Sequence, residues 1–275
     1  MLDIANYRRH IFMTQKLTLG DVEETALIPL ASRASETNRR HPRIKDPKAV
    51  QVIQDLHLDL KKYDKLITHE CVVARTIMFD QTVNDLIQKH PEALCINLGC
   101  DLDDRYHRVD HQKIIWIDLD LSDLIAARRK VYVDTPRHKM IAGSVLEKDW
   151  TDQLPAHDSK IPVIIIAEGL FMYFHKSQIQ NILHNLTEMF PHCTLVVELM
   201  RQSMMKENIH DTVKETQAKF GWGTKSGHEL EVLEPKMKLM SEKSFALQLL
   251  KSTFVSKLIG LVSLKINNRI AVFVW

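Results

Sequence analysis

Through the middle of the chain, short runs that are apolar throughout alternate with segments whose apolar residues recur at helical spacing. Ala93 to Leu98 (ALCINL), the stretch IIWIDLD from Ile114, Lys139 to Ala142 (KMIA), Val163 to Glu168 (VIIIAE) and Thr194 to Glu198 (TLVVE) read as strands. Leu121 to Val131 and Ser177 to Phe190 read as intervening helices. Strands without polar alternation are buried on both faces, and their alternation with helices predicts a parallel sheet joined by crossovers. Arg269 to Trp275 (RIAVFVW) suits a last, interior strand. Ahead of the sheet, Asp21 to Arg40 and Asp46 to Leu60 are expected as short helices. A longer one is expected over Thr68 to Lys89, with Val72, Val73, Ile77, Val83, Leu86 and Ile87 on its apolar face. Pro91 closes it.

The chain has 275 residues, 45% hydrophobic and 26% charged, which excludes disordered and low-complexity classes. Thirty-seven basic against thirty-five acidic side chains argue against a nucleic-acid partner. The first ten residues carry Asp3, Arg8 and Arg9 without an apolar stretch, so no secretory signal is read there. The longest apolar runs, Val163 to Ala167 and Ile270 to Trp275, fall far short of the roughly 20 residues of a membrane span. No membrane partner is expected. Cys71, Cys95, Cys100 and Cys193 show no C-x-x-C spacing and read as reduced thiols of a cytoplasmic protein. His107 and His111 have H-x-x-x-H spacing but no H-E-x-x-H pattern, and no metal is assigned.

Glycine marks the crevice. Between Asp21 and Phe220 there are only Gly99, Gly143 and Gly169, each at or just past the end of a strand. In parallel sheets ligands bind beyond those carboxyl ends. One domain is expected, with a helical cap and clamping helices over 1–92 and a cofactor-binding core over 93–198. A lid or insertion over 199–245 and C-terminal strands over 246–275 complete it. Asp120, at the tip of WIDLDL, suits the two hydroxyls of a ribose, a geometry shared by nicotinamide, flavin and S-adenosylmethionine cofactors. The loop chooses among them. A dinucleotide site wants G-x-G-x-x-G, yet Asp101 holds the second glycine position and Asp103 and Asp104 follow. Carboxylates repel a pyrophosphate and suit a sulfonium with an ammonium, so S-adenosylmethionine is favoured.

At these residues the chain resembles the leucine carboxyl methyltransferase and polyketide-synthesis O-methyltransferase family of class I S-adenosylmethionine-dependent enzymes. SRASETNRR…DP (32–47), ART…D (74–80), NLGCDLDDRYHRVD, WIDLDL, AGSVLEKDW (142–150) and AEGLFMYF (167–174) carry the likeness in order, with a weaker match in FGWG…ELEVLEP. The resemblance implies a Rossmann-like, doubly wound, mostly parallel seven-stranded sheet with an antiparallel last strand. It also implies that Arg75 meets the methionine carboxylate, Gly99 admits the amino-acid end, Asp120 holds the ribose, Ser144 and Val145 flank the adenine, and Glu168 lies under the ammonium or sulfonium. Arg33 matches a basic position near the cofactor or acceptor; Tyr173 and Trp222 are candidate acceptor contacts. The family's loop reads LG-x-G-L-D-T-R, so Asp101 and Asp104 are departures.

Two functions follow from this reading. One is an O-methyltransferase acting on a carboxylate of a small molecule or peptide, which is already ionised and needs no strong base. The other is an S-adenosylmethionine-binding protein whose loop has degenerated, in which case glycine at position 101 would strengthen binding.

Overall fold

The computed structural model describes residues 23–110, 113–156, 161–205, 216 and 219–275. Strands β1 (Leu94–Leu98), β2 (Ile115–Asp120), β3 (His138–Ala142), β4 (Val163–Ala167), β5 (Cys193–Leu199), β6 (Lys238–Ser244) and β7 (Arg269–Val274) form one sheet in the order β3-β2-β1-β4-β5-β7-β6. The first five run parallel; β7 lies antiparallel between β5 and β6. This is the doubly wound sheet the apolar runs predict, with RIAVFVW as its interior antiparallel strand.

Each apolar run serves both faces. Leu94, Ile96 and Leu98 of β1 pack with Ile117, Leu119 and Ile165, and with Ile179, Ile182 and Leu186 of the crossover helix Lys176–Met189. Cys95 points the other way, to Trp116, Ile164 and Val196, and to Phe79, Val83 and Ile87 of the long helix Leu66–Lys89. In chain order the helices are α1 (Leu27–Thr37), α2 (Pro47–Asp55), α3 (Leu66–Lys89), α4 (Arg105–Val109), α5 (Ser122–Arg128), α6 (Lys176–Met189), α7 (His228–Leu233), α8 (Ala246–Leu249) and α9 (Phe254–Ser263). Asp46 starts α2, its carboxylate accepting from Ala49 N at 2.8 Å ahead of Pro47.

The helical cap is shorter-jointed than expected. A 3-10 turn at Glu23–Ala26 leads into α1, and α2 ends at Asp55, shortly before His57 turns left-handed at φ 52°. Residues 21 and 22 lie outside the described residues. Of the segment 199–245 expected as a lid or insertion, residues 206–215, 217 and 218 lie outside the described residues; the rest includes α7 and the edge strand β6. The following stretch holds α8 and α9 as well as β7.

The order of winding places the crevice. From β1 the chain moves outward to β2 and β3, then returns to β4 on the other side of β1. The connections after β1 and β4 diverge, and the gap beyond their carboxyl ends is framed by Gly99 and by Glu168 and Gly169.

Candidate active site

The loop after β1 keeps its turn without the second glycine. Gly99 has φ 64° and Asp101 φ 49°, a left-handed position that aspartate tolerates better than most residues. Its backbone is held from several directions. Gly99 N and Cys100 N donate to Leu119 O at 2.9 and 3.2 Å, and Asp101 N donates to Asp120 Oδ2 at 2.8 Å. Arg128 Nη1 donates to the carbonyls of Asp101 and Asp103 at 2.8 and 2.9 Å. Arg128 is itself anchored on Asp118, which also accepts from Asn97, Trp116 and His138. Asp118 thus braces the loop from beneath.

Asp120 ends β2 with each oxygen accepting one backbone N–H, from Asp101 and from Leu121. A carboxylate has about four acceptor positions, so capacity remains for a diol. Burial raises its pKa to about 6, against the pull of the two N–H groups. Asp101 is more exceptional. Among the described residues its carboxylate makes no hydrogen bond or ion pair, while burial and the neighbouring Asp120 push it up to about 8.

Around this loop the separate sequence motifs join in one chain of ion pairs. Arg33 reaches Asp46 at 2.9 Å and Asp103 at 3.3 Å. Arg108 bridges Asp46, Asp103 and Asp80 at 3.0, 2.9 and 2.6 Å. Arg105 links Asp80 and Asp103 to Glu168, and Arg75 links Glu168 to Glu198 at 2.7 and 3.1 Å. These four arginines face five carboxylates, with Asp101 unpaired beside them. The site therefore carries excess negative charge that a cationic ligand would balance.

Two cavities meet here. The smaller, about 20 Å³, lies against Gly99, Asn97, Arg33, Arg105 and Glu168. The larger, about 180 Å³, is walled mainly by apolar side chains, including Ile28, Val72, Met172, Met200, Phe220 and Phe245. Pro29, Arg75 and Asp101 line both. Glu198 stands at the larger cavity, accepting from Asn268 Nδ2 at 2.8 Å and Gly169 N at 3.0 Å, its pKa raised by burial against the pull of Arg75.

The structure gathers most of the residues singled out in the sequence. Gly99 and Glu168 line the smaller cavity, Arg75 joins the two, and Asp120 holds the loop. Glu168 pairs with Arg75 and Arg105. Arg33 lines the smaller cavity and not the larger. Its Nη2 is buried without a hydrogen-bond partner. Tyr173 lines the larger cavity, its hydroxyl 3.2 Å from Thr25 Oγ1 and its ring 5.8 Å from that of Phe220. Trp222 does not reach it. The indole is packed in the main core, because Gly221 lets the chain run against Phe174, where a Cβ would fall 2.7 Å from the carbonyl oxygen. Ser144 and Val145 follow β3 and line neither cavity; Ser144 Oγ accepts from Leu146 N at 3.2 Å. Asp104 turns away to His107 at 2.6 Å. Sequence reasoning missed Arg105 and Arg108 as site residues, although DLDDRYHR displays them.

The chain matches the leucine carboxyl methyltransferase family over residues 26–187. It belongs to that family. It is 26% identical over 235 residues to the tetracenomycin polyketide synthesis O-methyltransferase TcmP of Streptomyces glaucescens, covering 84% of this chain and 86% of the relative. It is 27% identical over 190 residues to the S-adenosyl-L-methionine-dependent methyltransferase dpfgK of Gibberella zeae, covering 64% and 63%. Its fold is similar to that of magnesium protoporphyrin IX methyltransferase from Synechocystis, solved with S-adenosylhomocysteine (TM-score 0.51, 9% identity, 83% and 92% covered). The protein is an S-adenosylmethionine-dependent methyltransferase. The residues fit that cofactor. The orphaned Arg33 Nη2 is a donor suited to its carboxylate, Asp101 a counter-charge for its cationic groups, and Asp120 an acceptor for its ribose.

Proposed function

We propose that the protein is an O-methyltransferase whose acceptor, a small-molecule carboxylate, occupies the larger cavity. The observation that carries this reading is the sharing of Pro29, Arg75 and Asp101 by the two cavities. An acceptor in the apolar cavity would meet a cofactor held against Gly99 and Asp120 beside these shared residues. Bound S-adenosylmethionine would be held through Arg33, Asp101 and Asp120 and would supply an electrophilic methyl carbon, its sulfur leaving as a neutral thioether when the acceptor oxygen takes the methyl group. The chain's own work is alignment. Among the described residues Arg75 is the only Lys or Arg side chain lining the larger cavity, and it offers a guanidinium fork on which a carboxylate can be oriented. Its grip on Glu168 and Glu198 fixes the fork, and the surrounding methionines and aromatics exclude water. A carboxylate acceptor is ionised at neutral pH, so positioning is the main contribution, up to about 7–11 kcal/mol in favourable systems.

Asp101 and Glu198 favour a second reading, a phenolic or enolic hydroxyl acceptor. Both face the larger cavity with raised pKa values. Asp101 could there take the hydroxyl proton as the oxygen attacks. Four free cysteines support a cytoplasmic, reducing setting. The test is calorimetric titration with S-adenosylmethionine and S-adenosylhomocysteine, followed by transfer of labelled methyl to panels of apolar carboxylic acids and phenols. Methyl esters as products support the first reading and aryl ethers the second. Absence of cofactor binding by folded protein overturns both.

A further inference from the structure

Helix α9 is turned inside out. Its start is ordinary, with Thr253 Oγ1 accepting from Ser256 N at 3.2 Å. The residues it buries are Ser256 and Gly260, while Phe254, Leu258, Leu261 and Val262 face solvent. Phe254 is 76% exposed and Val262 80%. The small residues permit close approach to α8: a Cβ on Gly260 would lie 3.0 Å from Leu249 Cβ. Ser256 also hydrogen-bonds Glu70 of α3, fixing the orientation of the helix. One turn before Glu70, Leu66 and Ile67 are exposed in their turn, extending the patch. Large apolar side chains exposed along one face of a helix, with more on the helix it is bonded to, mark a contact site.

The charge pattern identifies the partner. From Lys243 to the last residue the chain carries Lys243, Lys251, Lys257, Lys265 and Arg269 and no acidic residue. At 100° per residue, Lys257 borders the apolar face of α9. Lys251 and Lys265, both exposed, flank the helix. Two copies meeting through this face would bring like charges together, which disfavours a dimer. Apolar side chains rimmed by lysine are the composition of a helix lying in the interface of an anionic bilayer. Such binding needs no spanning segment, and among the described residues no helix is long and apolar enough to cross a membrane.

The patch also reaches the cavity mouth. Ile67 lines the larger cavity, as do Asn267 and Asn268, four and five residues after the end of α9. We infer that α9 and the first turn of α3 dock the protein on an anionic lipid surface, with the acceptor cavity opening toward that surface. The expectation of no membrane partner rested on the lack of a span, and an interfacial helix is a different object. The docking goes beyond the methyl-transfer reading and is tested without an acceptor.

The test is co-sedimentation of the full chain with vesicles of phosphatidylcholine alone and of phosphatidylcholine mixed with phosphatidylglycerol. Binding to the mixed vesicles only, weakened by salt, is the expected result. Each lysine near an anionic surface contributes about fivefold, so replacing Lys257 and Lys265 by glutamine lowers partitioning about 25-fold. An independent pair, Leu258→Gln with Leu261→Gln, lowers it by at least about tenfold, since both side chains would lie in the acyl boundary. Both pairs change exposed positions, and unchanged thermal unfolding checks that they remain folded. Failure to bind mixed vesicles overturns the inference. So does binding that ignores salt and lipid charge, or a concentration-dependent dimer abolished by the leucine pair. Cofactor titration of the same samples keeps this result separate from the methyltransferase reading.

Discussion

Asp101 is where the loop departs most from its family, and its surroundings give that departure a use. The carboxylate is unpaired and held up to about 8 by burial and by Asp120. An acid whose pKa is higher in the folded than in the unfolded chain, where it lies near 4, costs stability when it ionises. That cost is absent below about pH 4 and grows until about pH 8. Asp101→Asn should therefore stabilise the cofactor-free protein at pH 8, by up to about 5 kcal/mol, with a higher Tm, and leave it unchanged near pH 4. Thermal unfolding at the two pH values measures this. The same substitution should weaken S-adenosylmethionine about tenfold or more and S-adenosylhomocysteine, which keeps the ammonium but lacks the sulfonium charge, by less. Asp101→Gly separates this view from a degenerate loop: the counter-charge account requires weaker S-adenosylmethionine binding, whereas repair of a damaged loop would strengthen it.

At the scale of elements, the crevice is built from the ends of β1 and β4, and those ends were plain in the sequence. VIIIA and LCINL lie buried along their whole length, so no polar alternation blurred the strands. The turn that follows β1 is held by geometry that a single substitution can test. Gly99→Ala places a Cβ at φ 64° and 2.9 Å from Leu170 Cδ1. The leucine can yield, but the backbone cannot, so a loss of about 1–2 kcal/mol in unfolding free energy is expected, with weakened cofactor binding. Asp120→Ala removes the acceptor for both loop N–H groups and for the ribose, and should cost at least about tenfold in cofactor affinity by titration. Other elements were illegible for physical reasons. Strand β6, KLMSEKS, sits at the sheet edge with only one paired side, where exposed charges protect against further pairing and erase an apolar signature. Helix α9 buries serine and glycine, so its apolar face gave no sign of lying outward. Trp222 was a candidate acceptor contact, yet it is packed in the core and the glycines that flank it serve close packing. Arg105 and Arg108 could not be assigned because their partners, Asp46, Asp80 and Glu168, lie on distant segments.

Across the whole molecule, buried charge ties the helical cap to the sheet, so pH should act on the cap before the core. A second cluster joins α1, α3 and α9: Arg43 binds Glu36 and Glu70, and His69 sits between Glu36 at 2.9 Å and Asp64 at 2.7 Å. Glu36 is drawn down to about 2; burial opposes its ionisation, but the hydrogen bonds from Arg43 and His69 outweigh it. A depressed carboxylate stabilises above its ordinary pKa near 4.5, and that contribution is lost as pH falls toward 2. For this group it is on the order of 3 kcal/mol. His69 behaves oppositely. Burial disfavours its charge, but hydrogen bonds to Asp64 and Glu36 raise its pKa, so its contribution is full below about 6.5 and fades as pH rises through the raised value. Between those limits the cap is held by both. Denaturant unfolding from pH 3 to pH 9 should show wild-type stability highest in mildly acidic solution, within roughly pH 5–6. Glu36→Gln should flatten the acid limb, and His69→Gln the alkaline one. Identical profiles for all three proteins would show that this cluster carries no differential protonation. Because Glu70 also holds Ser256 of α9, loss of the cluster should loosen that helix, read as faster hydrogen exchange over residues 254–263 than over β1.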